Sequence, residues 1–289
     1  MVSSDLEQLS RWRTVGARHS QQVVERATRV LKSTGLGDQE WSIREQLAMA
    51  AFDLGKTNLG AEQLLILNKR FPDSPRVHLL HGLGLEARGD LEGARKAYED
   101  LLLDDECNVS AQQRLITLSL SSPTIDVSKT IAALLKYLDT FYTDPSAWSF
   151  LAELYADLGL YPQSMAALGH LMLIQTWDSA AVQRAGETAF TMGDYQLALK
   201  YFLRATEMET EPSGTTEAST KSRSWWGVKL ATRRLLNLSN SDSSVPSNLS
   251  SSPKQLRLLD ELATERLLAF GGAGLGVRRK VLAGAEKTR

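Results

Sequence analysis

From Trp41 to Pro212, apolar residues recur at helical spacing in paired segments separated by a short polar turn, and the pair itself repeats. The pattern is clearest over Pro145–Asp178. There Trp148, Leu151, Ala152 and Tyr155 stand at the W-x2-L-(G/A)-x2-Y spacing, with Gly159 and Tyr161 at the turn that follows. The turn returns 34 residues later as Gly193-Asp194-Tyr195, followed by Ala198, Phe202 and Ala205. This is the pattern of the tetratricopeptide helix pair. Its phase predicts five units, 41–74, 75–108, 109–144, 145–178 and 179–212, whose starts are separated by 34, 34, 36 and 34 residues. The third unit is two residues long for the pattern and turns at Ser121-Ser122-Pro123-Thr124 rather than at Gly-Asp. Gly82, Ala152 and Gly186 occupy positions where two helices approach most closely. Trp148, Leu151, Tyr155 and Phe202 fill the gap to the next helix, so each unit depends on its neighbours to bury its apolar face.

The flanks follow from the same periodicity. Residues 3–34 read as two N-terminal capping helices, Ser3–Val15 and Ser20–Leu31; Val23, Val24, Ala27, Val30 and Leu31 form a stripe, and Thr34-Gly35-Leu36-Gly37 is the stop. Residues 213–238 read as a partial sixth unit, with Trp226-Gly227 at its large-small positions. Residues 239–253 are serine-rich and read as a flexible linker. Residues 254–270 read as an amphipathic C-terminal helix with Leu256, Leu259, Leu262, Ala263, Leu267 and Phe270 on one side; Arg257, Asp260, Glu261, Glu265 and Arg266 are assigned to its polar side. Residues 271–289 are a tail. The fold class is therefore all-α: a tetratricopeptide superhelix, or α-solenoid, with capping helices at both ends.

Composition narrows the function. The 289 residues are 43% hydrophobic and 23% charged with a net charge of -1, so no global attraction to nucleic acid or an anionic membrane is expected. The charge is uneven: residues 221–289 carry thirteen Lys and Arg against five Asp and Glu. A single cysteine, Cys107, fits a reducing compartment, and no apolar run reaches the length of a membrane span. The expectation is a cytosolic chain that meets membranes only through partners. Candidate chemistry is sparse. His78 and His81 lie one turn apart with no third ligand at zinc spacing. Gly82-x-Gly84 sits inside a repeat helix, and Gly271–Gly276 follows a helix without a Gly-Lys-Ser/Thr ending. No catalytic residue, cofactor or metal is expected.

Binding is the better-supported role. In stacked helix pairs the first helices line one concave face. The phase puts Arg76, Leu79, Leu83, Glu86, Gln113, Thr117, Leu120, Ser149, Glu153, Gln183 and Glu187 there, a mixture that suits a helix or extended segment of a partner with some positive charge. Ser149 and Glu153 stand where an adaptor for a peptide carboxylate would carry Lys or Asn, which argues against that class. Trp225-Trp226 reads as closing the array rather than anchoring a partner. The helix after residue 254 reads as packing on a helix rather than on a membrane.

An ordered set of segments extends the comparison beyond the repeat. It comprises W-x3-E-Q-L-A-x-A-A at Trp41–Ala51, R-F-P-x-S at Arg70–Ser74, K-Y-L-x-x-F at Lys136–Phe141, A-W-x-x-L-A-E-L-Y at Ala147–Tyr155 and G-D-Y-x-L-A-x-K-Y-F at Gly193–Phe202. Over about residues 5–235 the chain resembles the subunit 2 family of the endoplasmic reticulum membrane protein complex. The serine-rich 239–253 and glycine-rich 271–276 depart from it. The resemblance implies a non-catalytic scaffold on the cytoplasmic face of that membrane. It would clasp cytosolic segments of membrane-embedded subunits and carry a soluble subunit, in a complex that inserts tail-anchored and multi-spanning proteins. It implies no nucleic-acid partner and no direct membrane span. The repeat alone also fits an adaptor of a chaperone or RNA-processing assembly.

Overall fold

The computed structural model describes residues 2–33, 35–121, 127–209, 218–238, 243–270 and 274–284. Among them the regular structure is helical: α1 (Val2–Val15), α2 (Ser20–Val30), α3 (Gln39–Asp53), α4 (Thr57–Arg70), α5 (Pro75–Ala87), α6 (Leu91–Asp104), α7 (Val109–Ser121), α8 (Val127–Thr140), α9 (Pro145–Asp157), α10 (Tyr161–Ile174), α11 (Ser179–Met192), α12 (Tyr195–Met208), α13 (Ala218–Asn237), α14 (Pro253–Ala269) and α15 (Leu275–Gly284), with a 3-10 turn at Ser247–Leu249. Contacts divide the chain into two compact units, Met1–Ala133 and Leu134–Arg289, with the division inside α8. Residues 122–124 of the turn read for the third unit lie outside the described residues.

The helix boundaries have local causes. Asp90, Asp144, Asp178 and Asp194 each cap a helix N-terminus, their carboxylates accepting from the N–H groups of Gly93, Ser146, Ala180 and Leu197 at 2.9, 2.9, 2.9 and 3.0 Å. Each such cap stabilises by about 1 kcal/mol. The turn from α11 to α12 passes through Gly193 at φ +90°, a conformation that any Cβ would strain.

In the N-terminal unit, Leu9, Trp12, Val23, Val24, Ala27 and Val30 of α1 and α2 pack on Ile43, Leu47 and Ala50 of α3. Beyond them Phe52, Leu67, Val77 and Leu80 join α3, α4 and α5. Tyr98 is fully buried against Gly82, where an added Cβ would lie 2.3 Å from the ring. The small-large pairing read from the repeat therefore has a direct steric cause.

In the C-terminal unit, Phe202 of α12 is the corresponding wedge. A Cβ at Gly186 of α11 would lie 2.9 Å from its ring, and one at Gly227 of α13 would lie 2.4 Å from it. Helix α13 thus continues the stack onto α12, and α14 packs on α13 through Leu256 and Ala263. Asp260 is not on the polar side of α14. It is 5% exposed, and its carboxylate meets the 3%-exposed Lys229 of α13 at 2.7 Å. The apolar stripe of α14 thus has an ion pair set into it, because α13 presents a lysine at the facing position.

Part of the serine-rich segment is pinned in place. Residues 239–242 lie outside the described residues, but 243–252 run along the start of α12 rather than forming a free linker. Ser243 and Ser244 donate their hydroxyls to the two oxygens of Asp194, each at 2.6 Å, and the Ser244 N–H donates to Asp194 at 2.9 Å. The Ser251 N–H donates to Gln196 at 3.2 Å, Val245 is buried, and Ser252 closes a capping box at the start of α14. Burial alone would push the Asp194 carboxyl up. The bonds from Ser243, Ser244 and Leu197 outweigh it and hold the group below the usual carboxylate range. A depressed carboxyl contributes stability that is complete above the unfolded value, about 3.9, and is lost as pH falls through the folded value. The backbone amide shift of Ser244 is accordingly expected to titrate with a midpoint below about 3.9. A midpoint at or above that value would show that the serines do not hold the carboxylate in solution.

Within the tail, residues 275–284 form α15, whose Leu282 is buried.

Candidate partner-binding groove

A groove of about 800 Å³ in the N-terminal unit is lined by α3, α5, α7 and the corner between α1 and α2. These are the first helices of three successive units. Their spacing sets the inward faces side by side, and the α1–α2 corner closes one end of the row. The apolar wall is Trp12, Val23, Met49, Ala50, Leu79 and Leu83. Trp12 is held by His19, whose ring centroid is 5.0 Å away, and by the Arg26 guanidinium over its face at 5.4 Å.

The polar lining is dominated by arginines. Arg18 pairs with Asp53 at 2.9 Å, and the same carboxylate accepts the Ser20 hydroxyl at 2.8 Å. Arg76 forks onto both oxygens of Glu45 at 2.9 Å. Arg114 stands 3.6 Å from Glu86. Glu86 does not line the groove; it also accepts the Tyr98 hydroxyl at 2.5 Å. Burial, then that bond, pushes the Tyr98 phenol far above its ordinary value, so it remains a donor. Gln46 is 8% exposed; its amide nitrogen donates to the Leu9 carbonyl at 3.3 Å, and its Oε1 has no hydrogen-bond partner. The Leu9 carbonyl fixes this orientation, because a flipped amide would set two acceptors against each other.

Five of the residues read as inward-facing, Arg76, Leu79, Leu83, Gln113 and Thr117, come together on this groove. Leu120 is half-buried and is not among its lining residues. Ser149 and Glu153 line a separate hollow of about 370 Å³ in the C-terminal unit, where Arg184 donates to the Ser149 hydroxyl at 2.6 Å. Gln183 is buried, donating to Glu187 at 3.0 Å and accepting from Ser224 at 3.3 Å. Glu187 is forked by Arg223 at 2.7 and 2.8 Å, beside a hollow of about 300 Å³ formed with Phe190, Trp226 and Leu230.

Sequence reasoning missed Ser42, Glu45 and Met49, which occupy in the first unit the offsets of Arg76, Leu79 and Leu83 in the second. The repeat phase, carried back one unit, finds them. It does not find Arg13 or Arg18, which come from the non-repeat corner.

Among the described residues there is no cluster of three or more His, Cys, Asp or Glu positioned to hold a metal, and no helix long and apolar enough to cross a membrane.

The sequence profile of the EMC2 TPR-like repeat domain matches residues 64–182, and that of a tetratricopeptide repeat matches 180–212. The ER membrane protein complex subunit 2-A of Xenopus laevis is 31% identical over 207 residues, 70% of this chain and 69% of that protein. The chain belongs to the ER membrane protein complex subunit 2 family. The subunit 2 of Xenopus tropicalis is likewise 31% identical over 207 residues, 70% of this chain and 69% of that protein. The TPR repeat protein oca3 of Schizosaccharomyces pombe is 28% identical over 210 residues, 71% of each chain. A solved structure of the C-terminal part of a TPR repeat-containing protein from Cytophaga hutchinsonii covers 92% of this chain and 95% of its own with a TM-score of 0.55 at 11% identity, a likeness of fold alone. The subunit 2 profile spans α5, α7 and α9 but not the α1–α2 corner that closes the groove, nor the strap at 243–252.

Proposed function

We propose that this chain is a non-catalytic scaffold subunit of the endoplasmic reticulum membrane protein complex. It works on the cytoplasmic face, is peripheral through its partners, and helps hold together the membrane-embedded and soluble subunits of a machine that inserts tail-anchored and multi-spanning proteins. Membership of the subunit 2 family carries the reading. The groove supports it physically: a hollow of about 800 Å³ with an apolar wall and a charged rim has the make-up of a site for a polypeptide segment. Of the eleven inward-phase residues, the five that line the groove, Arg76, Leu79, Leu83, Gln113 and Thr117, are its proposed contacts.

The test uses Thr117, which is exposed on the groove. Thr117→Trp fills the hollow without touching the core. Recovery of membrane proteins with the tagged chain from detergent extracts is expected to fall about tenfold, as for a blocked interface centre, while the helical circular dichroism is unchanged. Undiminished recovery would remove the groove from the assembly.

A further inference from the structure

The sequence phase points to a partner with some positive charge, because it collects Glu86, Glu153 and Glu187. In the N-terminal groove the charge is reversed. Glu86 lies outside the lining, engaged by Tyr98 and Arg114. The lining itself carries Arg13, Arg18, Arg76 and Arg114 against Glu45 and Asp53.

We propose that the groove of the N-terminal unit binds an acidic, amphipathic segment of a partner polypeptide. The proposal rests on the scaffold reading above and names the chemistry of the partner that its site accepts.

Two observations carry it. The first is open cationic capacity. Arg13 lines the groove and makes no ion pair among the described residues. The side chains of Arg18 and Arg76 remain 57% and 75% exposed while paired. A guanidinium has five N–H donors, so each retains donors for a second carboxylate. The second is the wall: Trp12, Met49, Leu79 and Leu83 give an apolar strip flanked by those arginines, matching a segment with an apolar side and an acidic edge.

A basic segment would bring its charge against Arg13. A nucleic-acid backbone would meet Glu45 and Asp53 interleaved with the arginines.

Two measurements decide the matter. In the first, purified full-length chain is titrated against two labelled amphipathic peptides, one built of Leu, Asn and Glu and the other with Lys in place of Glu. The glutamate peptide is expected to bind at least about tenfold more tightly at low salt, and Arg13→Glu to abolish the preference while Arg13→Lys retains it. The exposed Arg13 side chain makes no hydrogen bond or ion pair among the described residues, so these variants leave the fold intact. Equal binding, or preference for the lysine peptide, overturns the proposal.

In the second, a photo-crosslinking residue replaces the exposed Ser110 on the groove rim in the assembled complex, and the captured segment is sequenced. An acidic segment of another polypeptide is expected. A basic or uncharged segment, a second copy of this chain, nucleic acid or lipid overturns the proposal. The peptide titration does not depend on the complex, so the proposal can fail while the scaffold reading stands, and the reverse.

Discussion

Asp260→Ala is expected to cost about 3–5 kcal/mol, the range for removing one partner of a buried ion pair. The side chains of Lys229 and Asp260 are 4% and 8% exposed, with Nζ and Oδ1 2.7 Å apart. Lys229 also donates to Thr264 Oγ1 at 2.6 Å and to the Asp260 carbonyl at 3.2 Å, and Arg233 approaches the same carboxylate at 3.6 Å. Truncation takes the Asp260 carboxylate away from a buried ammonium, which favours loss of its proton or a movement of α14 that admits water. Hydrogen exchange followed by mass spectrometry should show protection lost from α14 and the facing turn of α13. Helices α1 to α5 should be unchanged, because in a stacked array coupling passes between neighbours. The double variant Lys229→Met/Asp260→Leu should stand close to the parent, since replacing both partners removes the uncompensated charge. A loss below about 1 kcal/mol for Asp260→Ala would mean the pair is solvated and α14 is not seated on α13 as described.

Phe202→Ala is expected to cost a similar amount, about 3–5 kcal/mol. The ring is 3% exposed and fills the seam between α11, α12 and α13, pressed on both sides by glycines. Two of the residues flanking the ring, Gly186 and Gly227, have no side chain to collapse into the space. The effect should appear as lost exchange protection across α13 and, through it, α14. Gly227→Ala tests the same seam from the other side, with a smaller cost of about 1–3 kcal/mol from overpacking. If Phe202→Ala leaves α13 protected, then α13 is held by something other than the stack.

These two sites mark where the sequence is and is not legible. The tetratricopeptide pairs can be read because their determinants are local and periodic: an aspartate cap, a turn glycine, and a small residue facing a large one at fixed offsets. Gly82 with Tyr98 and Gly186 with Phe202 are visible at those offsets before any coordinates. Asp260 was unreadable for a physical reason. A charged residue on an amphipathic helix is assigned to the wet side unless its partner is known, and Lys229 lies 31 residues away. The strap at 243–252 has the composition of a linker, and the Asp194 carboxylate, some 50 residues distant in sequence, gives Ser243 and Ser244 something to bind.

The groove was partly legible. Phase placed Arg76, Leu79, Leu83, Gln113 and Thr117 on one face. Phase does not give the charge of that face, because Glu86 turns to Tyr98 and Arg114 while Arg13 and Arg18 arrive from a corner outside the repeat. Partner chemistry therefore depends on contacts that periodicity does not encode.

The central claim is that this chain is a scaffold subunit of a membrane complex. The most direct test is affinity purification of the tagged full-length chain from endoplasmic reticulum membranes in mild detergent, with the co-purifying proteins quantified by mass spectrometry. The claim predicts a fixed set of membrane-spanning polypeptides together with a soluble one, in constant ratio to the tagged chain across independent preparations. Recovery of the chain alone, or with soluble chaperones or RNA-binding proteins and no membrane-spanning partner, would contradict it.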